Sequence, residues 1–290
     1  MKPAFIFLFA ILLSALTAFA TVKITAQETA SEVKKESVYD RVMRTQTIRC
    51  GYTPIEPILR KDASTGELSG VAYDIVNEIG KKLNLKIEWA GEAGFASMTQ
   101  DVASGRYDMI CSVHMITAAR ARGADFSTPV VFAPLSIFVR SDDDRFDVNP
   151  DLLNDEATLF ASVDGTPAPG LVAQFFPKAK LYSLPELSSM SEAFISVASK
   201  KADVVLTPAY EGVLFAEKNE GRLRPLAGGT LVMMPNAFQF AQDQYRFKSL
   251  IEATLEELRA YGTVDRIVRK YERFPGTLYA SRSPYAPMVK

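Results

Sequence analysis

The sequence predicts an α/β fold in which strands and helices alternate along the chain. Short runs rich in Val, Ile and Phe recur between longer stretches whose apolar residues have helical spacing. Strands that alternate with helices form right-handed βαβ units, and such units build mostly parallel sheets. The chain has 290 residues, of which 48% are hydrophobic, so it is long enough for two small domains.

The first series of predicted elements ends near residue 139. Ile75, Ile79 and Leu83 share one helical face, and Asp74 is expected to cap that helix. Gly105 is expected to end the helix that follows. The series consists of helices at 36–44, after 74 and at 96–104, and strands at 47–51, 86–90 and 108–112.

A change of composition after residue 139 predicts a linker. The segment 141–147 is polar, and Pro150 follows it. Its acidic run Asp142–Asp144 could hold a cation, but three consecutive aspartates diverge, and calcium takes about six or more oxygen ligands. A solvated linker is therefore the prediction. A second series follows, with strands at 158–163, 180–182, 203–207 and 230–234, a segment at 238–241, and helices at 171–176, 190–200, 210–218, 245–260 and 263–271.

The first twenty residues have the pattern of a signal peptide. An apolar run of about 17 residues, Ala4 to Ala20, follows Lys2 and is at the short limit for spanning a membrane. Ala18-Phe19-Ala20 has the small-x-small pattern of a cleavage site. A transmembrane anchor is the alternative, and no Cys follows the site to carry a lipid. We expect cleavage after Ala20, a signal peptide at 1–20, a flexible leader at 21–40, and export of a soluble chain.

The charge balance and the residue counts exclude several classes of function. Lys and Arg number 33 against 34 Asp and Glu, so no basic excess indicates a nucleic-acid partner. His114 is the single histidine, which excludes a His-rich zinc site, and any Ser-His-Asp enzyme would have to use it. The sequence contains no metal-ligand spacing. We therefore predict no metal and no cofactor.

The segment 108–129 combines a buried-looking strand with a cation just beyond the strand's end. Open α/β sheets place ligands in this position, outside the carboxyl ends of the strands. Thr117 can cap the turn that follows, because its hydroxyl accepts a backbone N–H of the first turn. Arg120 would then lie one turn in and present a planar fork to a carboxylate. Taken alone, the same arginine could be an ordinary solvated residue.

Several motifs occur in a characteristic order around this segment. Thr117-Ala-Ala-Arg120 is followed by Asp125-Phe-Ser-Thr-Pro129, and Gly165-Thr166 follows a later strand. Further matches are Cys50-Gly51, Pro57-Ile58, Gly66 to Asp74, and Tyr261 to Tyr271. Together the motifs cover about residues 40 to 272 and resemble the family 3 solute-binding proteins of bacterial ABC importers, the polar amino-acid-binding group.

The resemblance implies a two-lobed periplasmic binding protein of the type II-like fold. Each lobe would be a mostly parallel sheet flanked by helices, and two crossover hinge segments near 136–142 and 234–241 would join the lobes. The first lobe would comprise 41–136 and 237–290, so that the C-terminal helices return to it, and the second lobe 137–236. The expected partners are a small carboxylate or amino-acid-like solute and the membrane permease of an ABC importer. The protein would act in the periplasm as a monomer.

The resemblance also implies a set of ligand contacts from both lobes. Arg120 would grip a carboxylate, beside Thr117. The turn at Gly165-Thr166 would offer free amides and a helix N-terminus, both of which favour negative charge. The full set of candidate ligand-binding residues is Arg120, Thr117, Met115, His114, Gly165, Thr166, Ile55, Glu56, Phe95, Pro208 and Glu211.

Some of these positions depart from the family pattern. Pro208 stands where amino-acid binders have the Asp that holds the α-ammonium group, and Glu211 is the nearest carboxylate. Ile55 replaces an aromatic wall, which Tyr52 could replace only in part. Met115 replaces a small hydroxylated residue, and Val130 replaces a Tyr. His114 is unusual and could be a core residue or a ligand contact. The solute would then be a carboxylate without a standard α-amino group, or an amino acid held through Glu56 or Glu211.

The two cysteines lie in strands that are neighbours in the family's fold. An exported protein can form a disulfide, but a bridge between adjacent parallel strands strains its geometry. We therefore slightly favour two buried free thiols at Cys50 and Cys111 over a disulfide.

Three functions fit these observations. The leading prediction is a periplasmic solute-binding subunit that closes its hinge on the ligand and is not an enzyme. The alternative is a cyclohexadienyl or prephenate-type dehydratase, because some relatives of the fold have this activity. Such an enzyme needs a general acid in the cleft, and the candidates are Glu56, Glu211 and His114. The third is a sensor or accessory subunit that has lost tight solute binding.

Overall fold

The computed structural model describes residues 36–186 and 188–282. The predicted signal peptide, with its cleavage after Ala20, and most of the predicted leader lie outside the described residues. The helices are α1 (Val38–Thr45), α2 (Val71–Leu83), α3 (Met98–Ala103), α4 (Ala118–Ala121), α5 (Arg145–Val148), α6 (Ala168–Phe175), α7 (Met190–Ala198), α8 (Ala209–Lys218), α9 (Tyr245–Ala260) and α10 (Thr263–Tyr271).

The strands alternate with these helices, as the sequence predicts. They are β1 (Thr47–Tyr52), β2 (Arg60–Lys61), β3 (Leu68–Ser69), β4 (Lys86–Glu92), β5 (Met109–Met115), β6 (Asp125–Phe126), β7 (Val131–Arg140), β8 (Leu159–Val163), β9 (Lys180–Leu184), β10 (Val204–Pro208), β11 (Leu223–Phe240) and β12 (Tyr279–Ala280).

One ten-stranded sheet runs through the molecule, with its main path in the order β4-β1-β5-β11-β7-β10-β8-β9. Strand β1 is parallel to β4 and β5, and β8 is parallel to β9 and β10. The central strands β11 and β7 are antiparallel to each other and to their outer neighbours. Each end of the sheet is therefore parallel, as predicted, but an antiparallel pair joins the two ends.

Separate hydrophobic cores at the two ends of the sheet define two lobes. In the first lobe, α2, α9 and α10 pack on the sheet through side chains such as Ile75, Ile79 and Phe247. In the second lobe, α6, α7 and α8 cover both faces around Phe160 and Phe194. The two-lobed α/β fold is thus confirmed, whereas the boundaries at 136/137 and 236/237 stay a prediction.

Strands β7 and β11 carry the chain between the lobes. Residues 236–240 of β11 pair with β5 in the first lobe. Residues 135–139 of β7 pair with β10 in the second lobe. The sequence predicts a strand at 230–234 and a separate segment at 238–241, but both belong to β11, which is continuous over 18 residues. Its prolines and glycines hide the alternation, and its register shifts on both sides of Thr230.

Two local predictions are wrong, and in both the carboxylates concerned bind other side chains. Helix α2 begins at Val71 after Gly70, so Asp74 lies inside the first turn and does not cap it. Asp74 instead accepts hydrogen bonds from Lys270 at 2.7 Å and Tyr271 at 3.0 Å, which joins α10 to α2.

The acidic run is also not a fully solvated linker. Asp143 is only 6% exposed and accepts hydrogen bonds from Arg140 at 2.6 Å and Arg145 at 2.8 Å. Asp142, by contrast, is exposed. A buried carboxylate needs such paired donors, and the arginines on either side of the run supply them.

Cys50 and Cys111 form a disulfide, so the slight preference for two free thiols is wrong. The two residues lie on adjacent parallel strands, as expected, but Cys50 is level with Met109 and not with Cys111. The offset gives a Cα–Cα distance of 5.4 Å, which lies within the usual range for disulfides. The bridge therefore ties β1 to β5, the strand that leads into the segment with Arg120.

Replacing both cysteines should lower stability. A disulfide stabilises mainly by restricting the unfolded chain, and its typical contribution is about 2–4 kcal/mol. We expect the Cys50→Ala/Cys111→Ala variant to lose about that much free energy of unfolding in urea titrations. Reductant should destabilise the wild-type protein similarly and leave the variant unchanged. Equal stability of oxidised wild type and variant would contradict the prediction.

Candidate functional site

A small, partly open cavity lies between the two lobes, beside the carboxyl ends of β5 and β10. Its volume is about 40 Å³, room for roughly three water molecules. The first lobe contributes Phe95 and Met115, and β7 contributes Leu135. The second lobe contributes Thr166, Pro167, Ala168, Leu171, Met190, Leu206, Thr207, Pro208 and Glu211.

The structure brings five of the eleven predicted site residues to this cavity. They are Phe95, Met115, Thr166, Pro208 and Glu211. Thr207 and the apolar wall formed by Leu135, Leu171 and Met190 were missed. Thr207 could have been found, because it is the last residue before the strand-ending Pro208, whereas the apolar residues have no signal that separates them from core residues.

Arg120 does not line the cavity but contacts Met115, which does, and its hydrogen-bonding capacity is only partly satisfied. Thr117 caps α4 as predicted, since its hydroxyl accepts the Arg120 backbone N–H at 3.3 Å. The Nη1 atom of Arg120 donates to the Met115 carbonyl oxygen at 3.3 Å. The Nη2 atom is buried and has no hydrogen-bond partner among the described residues. Burial lowers the pKa of Arg120 to about 10, so the side chain is still a cation at neutral pH.

His114 is a buried residue beside the cavity and does not line it. Its Nε2 atom is 2.9 Å from Ser112 Oγ, and its ring contacts the Phe95 ring edge-on, with centroids 6.0 Å apart. Burial, and then the charge of Arg120, lower the pKa of His114 to about 3. His114 is therefore neutral near pH 7, and its position agrees with the predicted core role.

The turn at Gly165-Thr166 does not offer the free amide that was expected at Thr166. Both the Thr166 N–H and its hydroxyl donate to the Val163 carbonyl, at 3.2 and 2.7 Å. Gly165 has a φ of +80°, and a Cβ atom there would lie 2.8 Å from the Ala96 backbone nitrogen. Gly165 therefore permits close contact between the lobes.

Glu211 projects into the cavity from the first turn of α8. Its Oε2 atom accepts a hydrogen bond from the Thr207 hydroxyl at 2.7 Å. Burial raises the pKa of Glu211 to about 7, although the Thr207 hydrogen bond acts in the opposite direction. The carboxyl group is thus poised between its neutral and ionised forms near physiological pH.

Ile55 and Glu56 do not reach this cavity. Ile55 forms a backbone bridge with Leu59 and packs against the first-lobe core. Glu56 pairs with Lys218 at 3.3 Å and lines a different cavity, of about 200 Å³, on the Tyr210 side of α8. Of the two carboxylates suggested for holding an amino group, only Glu211 faces the cleft.

The described residues contain neither a membrane-spanning helix nor a cluster of metal-ligating side chains. Within 36–186 and 188–282, every helix is too short or too polar to cross a membrane. Nowhere in the same ranges do three His, Cys, Asp or Glu side chains lie together so that they could hold a metal ion.

Two lobes that are joined by a pair of strands, with a cavity between them, define the class of periplasmic binding proteins. Within that class, the model of the bacterial extracellular solute-binding proteins, family 3, matches residues 48–274. The chain belongs to this family.

The individual relatives have low sequence identity to this chain. The probable amino-acid-binding protein YxeM of Bacillus subtilis (strain 168) is 25% identical over 71% of this chain and 76% of its own. A probable histidine-binding protein of Campylobacter jejuni is also 25% identical, over 79% of this chain and 86% of its own.

Solved structures share the fold. An ancestral amino acid-binding protein, described as a precursor of cyclohexadienyl dehydratase, has a TM-score of 0.69 at 24% identity and covers 81% of this chain and 99% of its own. A putative ABC transporter binding component from Wolinella succinogenes, complexed with lysine, has a TM-score of 0.69 at 20% identity and covers 79% and 97%.

Buried His114 should make the folded state less stable in acid. Its pKa falls from 6.5 to about 3 on folding, so below pH 6.5 the unfolded chain binds a proton that the folded protein does not. The free energy of unfolding should fall by about 1.4 kcal/mol per pH unit, or about 2 kcal/mol between pH 6.5 and 5. The raised pKa of Glu211 has the opposite effect on the pH dependence of stability. Its contribution to the free energy of unfolding is present at low pH and is lost as the pH rises from 4.5 to about 7.

The His114 contribution can be isolated in a Glu211→Gln background. The Glu211→Gln variant and the Glu211→Gln/His114→Gln variant should differ in the slope of stability against pH below 6.5, as measured by urea titrations from pH 5 to 7. Parallel curves would show that His114 is not a buried neutral residue.

Proposed function

We propose that the protein is the solute-binding subunit of an ABC importer and captures a small carboxylate or amino-acid-like solute. Family membership supports solute binding, and the names of the relatives, amino-acid-binding and ABC transporter-binding proteins, support delivery to a membrane permease. The observation that supports a carboxylate ligand is the Nη2 atom of Arg120, which is buried and has no hydrogen-bond partner among the described residues. Buried polar groups are almost always hydrogen-bonded, and a carboxylate is the natural acceptor for a guanidinium fork.

The proposal includes the place of action. The apolar N-terminal run and the small residues at 18–20 support export to the periplasm with cleavage after Ala20. The disulfide between Cys50 and Cys111 agrees with an oxidising compartment. We expect a monomer there.

Capture would occur by closure of the two lobes. The lobes contact each other through Gly165 and Ala96 and through ion pairs at Glu56–Lys218 and Glu217–Arg273. Exposed ion pairs of this kind contribute little free energy, about 0–1 kcal/mol, so they cannot hold the closed form strongly. A solute that contacts both lobes binds the closed form better and shifts the population toward it.

Arg120 would supply the first-lobe part of that binding. A guanidinium that donates through Nη1 to the Met115 carbonyl is held in position for a ligand oxygen at Nη2. Thr117 fixes the start of the short helix that carries it. Burial strengthens the pairing of opposite charges, because the dielectric screening is weaker than in water.

The dehydratase is the second candidate, and one residue favours it. Among the three acids suggested for that reaction, Glu56 lies outside the cavity and His114 is neutral at pH 7. Glu211 alone lines the cavity and has a pKa of about 7, which suits a general acid. Turnover of prephenate by the purified protein, lost in Glu211→Gln, would establish this activity. If the purified protein does not turn over prephenate, solute binding is the only one of the two functions that remains.

Removing the Arg120 guanidinium should abolish tight binding of the solute. A thermal-shift screen of carboxylic acids and amino acids identifies the probe, since a ligand that binds the folded form raises Tm. We expect Arg120→Ala to weaken that probe by two to three decades, because breaking a buried ion pair costs ~3–5 kcal/mol and each decade is about 1.4 kcal/mol.

Arg122→Ala is the matched control, because Arg122 is exposed and two residues away. It should bind the probe as the wild type does. In the ligand-free state Arg120→Ala should fold normally, since it removes a poorly satisfied charge. Undiminished stabilisation of Arg120→Ala by the probe would rule out the carboxylate clamp.

A further inference from the structure

We propose that Glu211 recognises the solute as a protonated carboxyl group, which donates a hydrogen bond to a solute that is a carboxylic acid without an ammonium group. The proposal rests on the proposed function, since it concerns the same cavity. It narrows the solute to acids such as 2-oxo and 2-hydroxy acids, and it makes Glu211 a residue that determines specificity.

The first support is the surroundings of the carboxyl group. Most of the cavity wall is apolar, and the polar side chains that line it with Glu211 are Thr166 and Thr207. Burying a carboxylate among apolar groups favours its neutral form, which agrees with the rise of its pKa to about 7. The Thr207 hydroxyl donates to Oε2, so that in the neutral carboxyl group Oε1 is the oxygen left to carry the proton.

The second support is the distribution of charge around Glu211. No ion pair joins Glu211 to a cation in the described residues, and no charged group contributes to its pKa shift. On its own helix, Lys218 pairs with Glu56 and Glu217 pairs with Arg273. The other titratable groups on or beside the elements around the cavity are His114, Arg120, Arg140, Asp164, Glu186, Glu192 and Tyr210, of which Arg140 is paired with Asp143.

None of these groups would ionise Glu211. Arg120 donates to the Met115 carbonyl oxygen and does not contribute to the pKa shift of Glu211. His114 is neutral near pH 7, and Tyr210 is buried with a raised pKa. Asp164, Glu186 and Glu192 are acidic residues and offer Glu211 no cation.

The third support is the overall charge of the site. Arg120 has no carboxylate partner in the described residues, and it reaches the cavity through its hydrogen bond to the carbonyl oxygen of the lining residue Met115. A solute that contacts both Arg120 and a neutral Glu211 would meet one positive charge and no negative charge. Such a site matches a monoanion. A zwitterionic amino acid would match only if Glu211 were ionised. Pro208 aligns with the Asp that holds the ammonium group in the amino-acid binders that the sequence resembles, and it has neither a charge nor an N–H group.

The test compares acids that share a carbon skeleton and differ at the second carbon. One series is pyruvate, L-lactate and L-alanine. The other is 2-oxo-4-methylpentanoate, 2-hydroxy-4-methylpentanoate and L-leucine. Isothermal titration of the mature wild-type protein at pH 6.0 and 8.5 gives each Kd. We expect the oxo or hydroxy acid to bind more tightly than the amino acid of its series. Its affinity should fall about thirty-fold from pH 6.0 to 8.5, because a group with a pKa of about 7 is mostly ionised at the higher pH.

Two variants distinguish the effect of the Glu211 proton on binding from the effect of the side chain's size. Glu211→Gln keeps a neutral hydrogen-bond donor of the same size, so it should bind the acid as at pH 6.0 and lose the pH dependence. Glu211→Leu removes the donor and should weaken binding about tenfold at pH 6.0, the value of one hydrogen bond. The Tm of each ligand-free variant checks that it is folded.

The opposite results would overturn the proposal. Tighter binding of the amino acids, with an affinity that rises with pH and is lost in Glu211→Gln, would make Glu211 an ammonium-binding carboxylate, while solute capture itself would stand. Binding of an oxo acid that does not change with pH would show that the Glu211 proton is not used. If no carboxylate stabilises the protein in the wider thermal-shift screen, the proposed function fails and this inference fails with it.

Discussion

The antiparallel pairing of β7 with β11 is the constraint on which the rest of the structure depends. These two strands carry the chain from one lobe to the other, and the parallel strands of each lobe are attached to them through β5 on β11 and β10 on β7. The position of the cavity follows from the register in which β5 pairs with β11 and β10 pairs with β7. Met115 is level with Asn236 on β11, and Pro208 is level with Leu135 on β7. The ends of β5 and β10 therefore face the same point from opposite lobes.

The charged groups of the molecule follow two different rules. Away from the cleft, two buried carboxylates are paired with arginines: Asp108 accepts hydrogen bonds from Arg41 and Arg49, and Asp143 accepts them from Arg140 and Arg145. Near the cleft, Arg120 and Glu211 are buried without an ionic partner in the described residues. Burial lowers the pKa of Arg120 and raises that of Glu211, and both shifts favour the neutral form. Unpaired buried groups are costly in a folded protein, and a ligand that satisfies them recovers that free energy on binding.

Local patterns in the sequence were enough for most elements of the fold and for part of the site. The helices at 245–260 and 263–271 have the bounds that were predicted. The apolar residues of each keep a helical spacing, and Gly262 lies between the two helices. The cap at Thr117 and the short helix with Arg120 were also predictable, since both depend on residues within one turn. Long-range contacts account for the failures. The continuity of β11 depends on pairing with β7, the position of Asp74 depends on Lys270, and the disulfide depends on the offset between β1 and β5. In the site, sequence could nominate Glu211 but could not show that it faces the cavity while Glu56 does not.

The path of the chain leaves both ends of the described residues on the first lobe. Val42 of α1 packs in the first-lobe core, and β12 pairs with residues 131–132 at the start of β7. Since the chain enters the second lobe on β7 and leaves it on β11, the second lobe carries neither end. A tether to a surface, or a fusion at either end, would therefore hold one lobe and leave the other free to swing. A dye at exposed Ile195 of the second lobe and a second dye near an end would then record each opening and closing as a change in energy transfer within a single molecule.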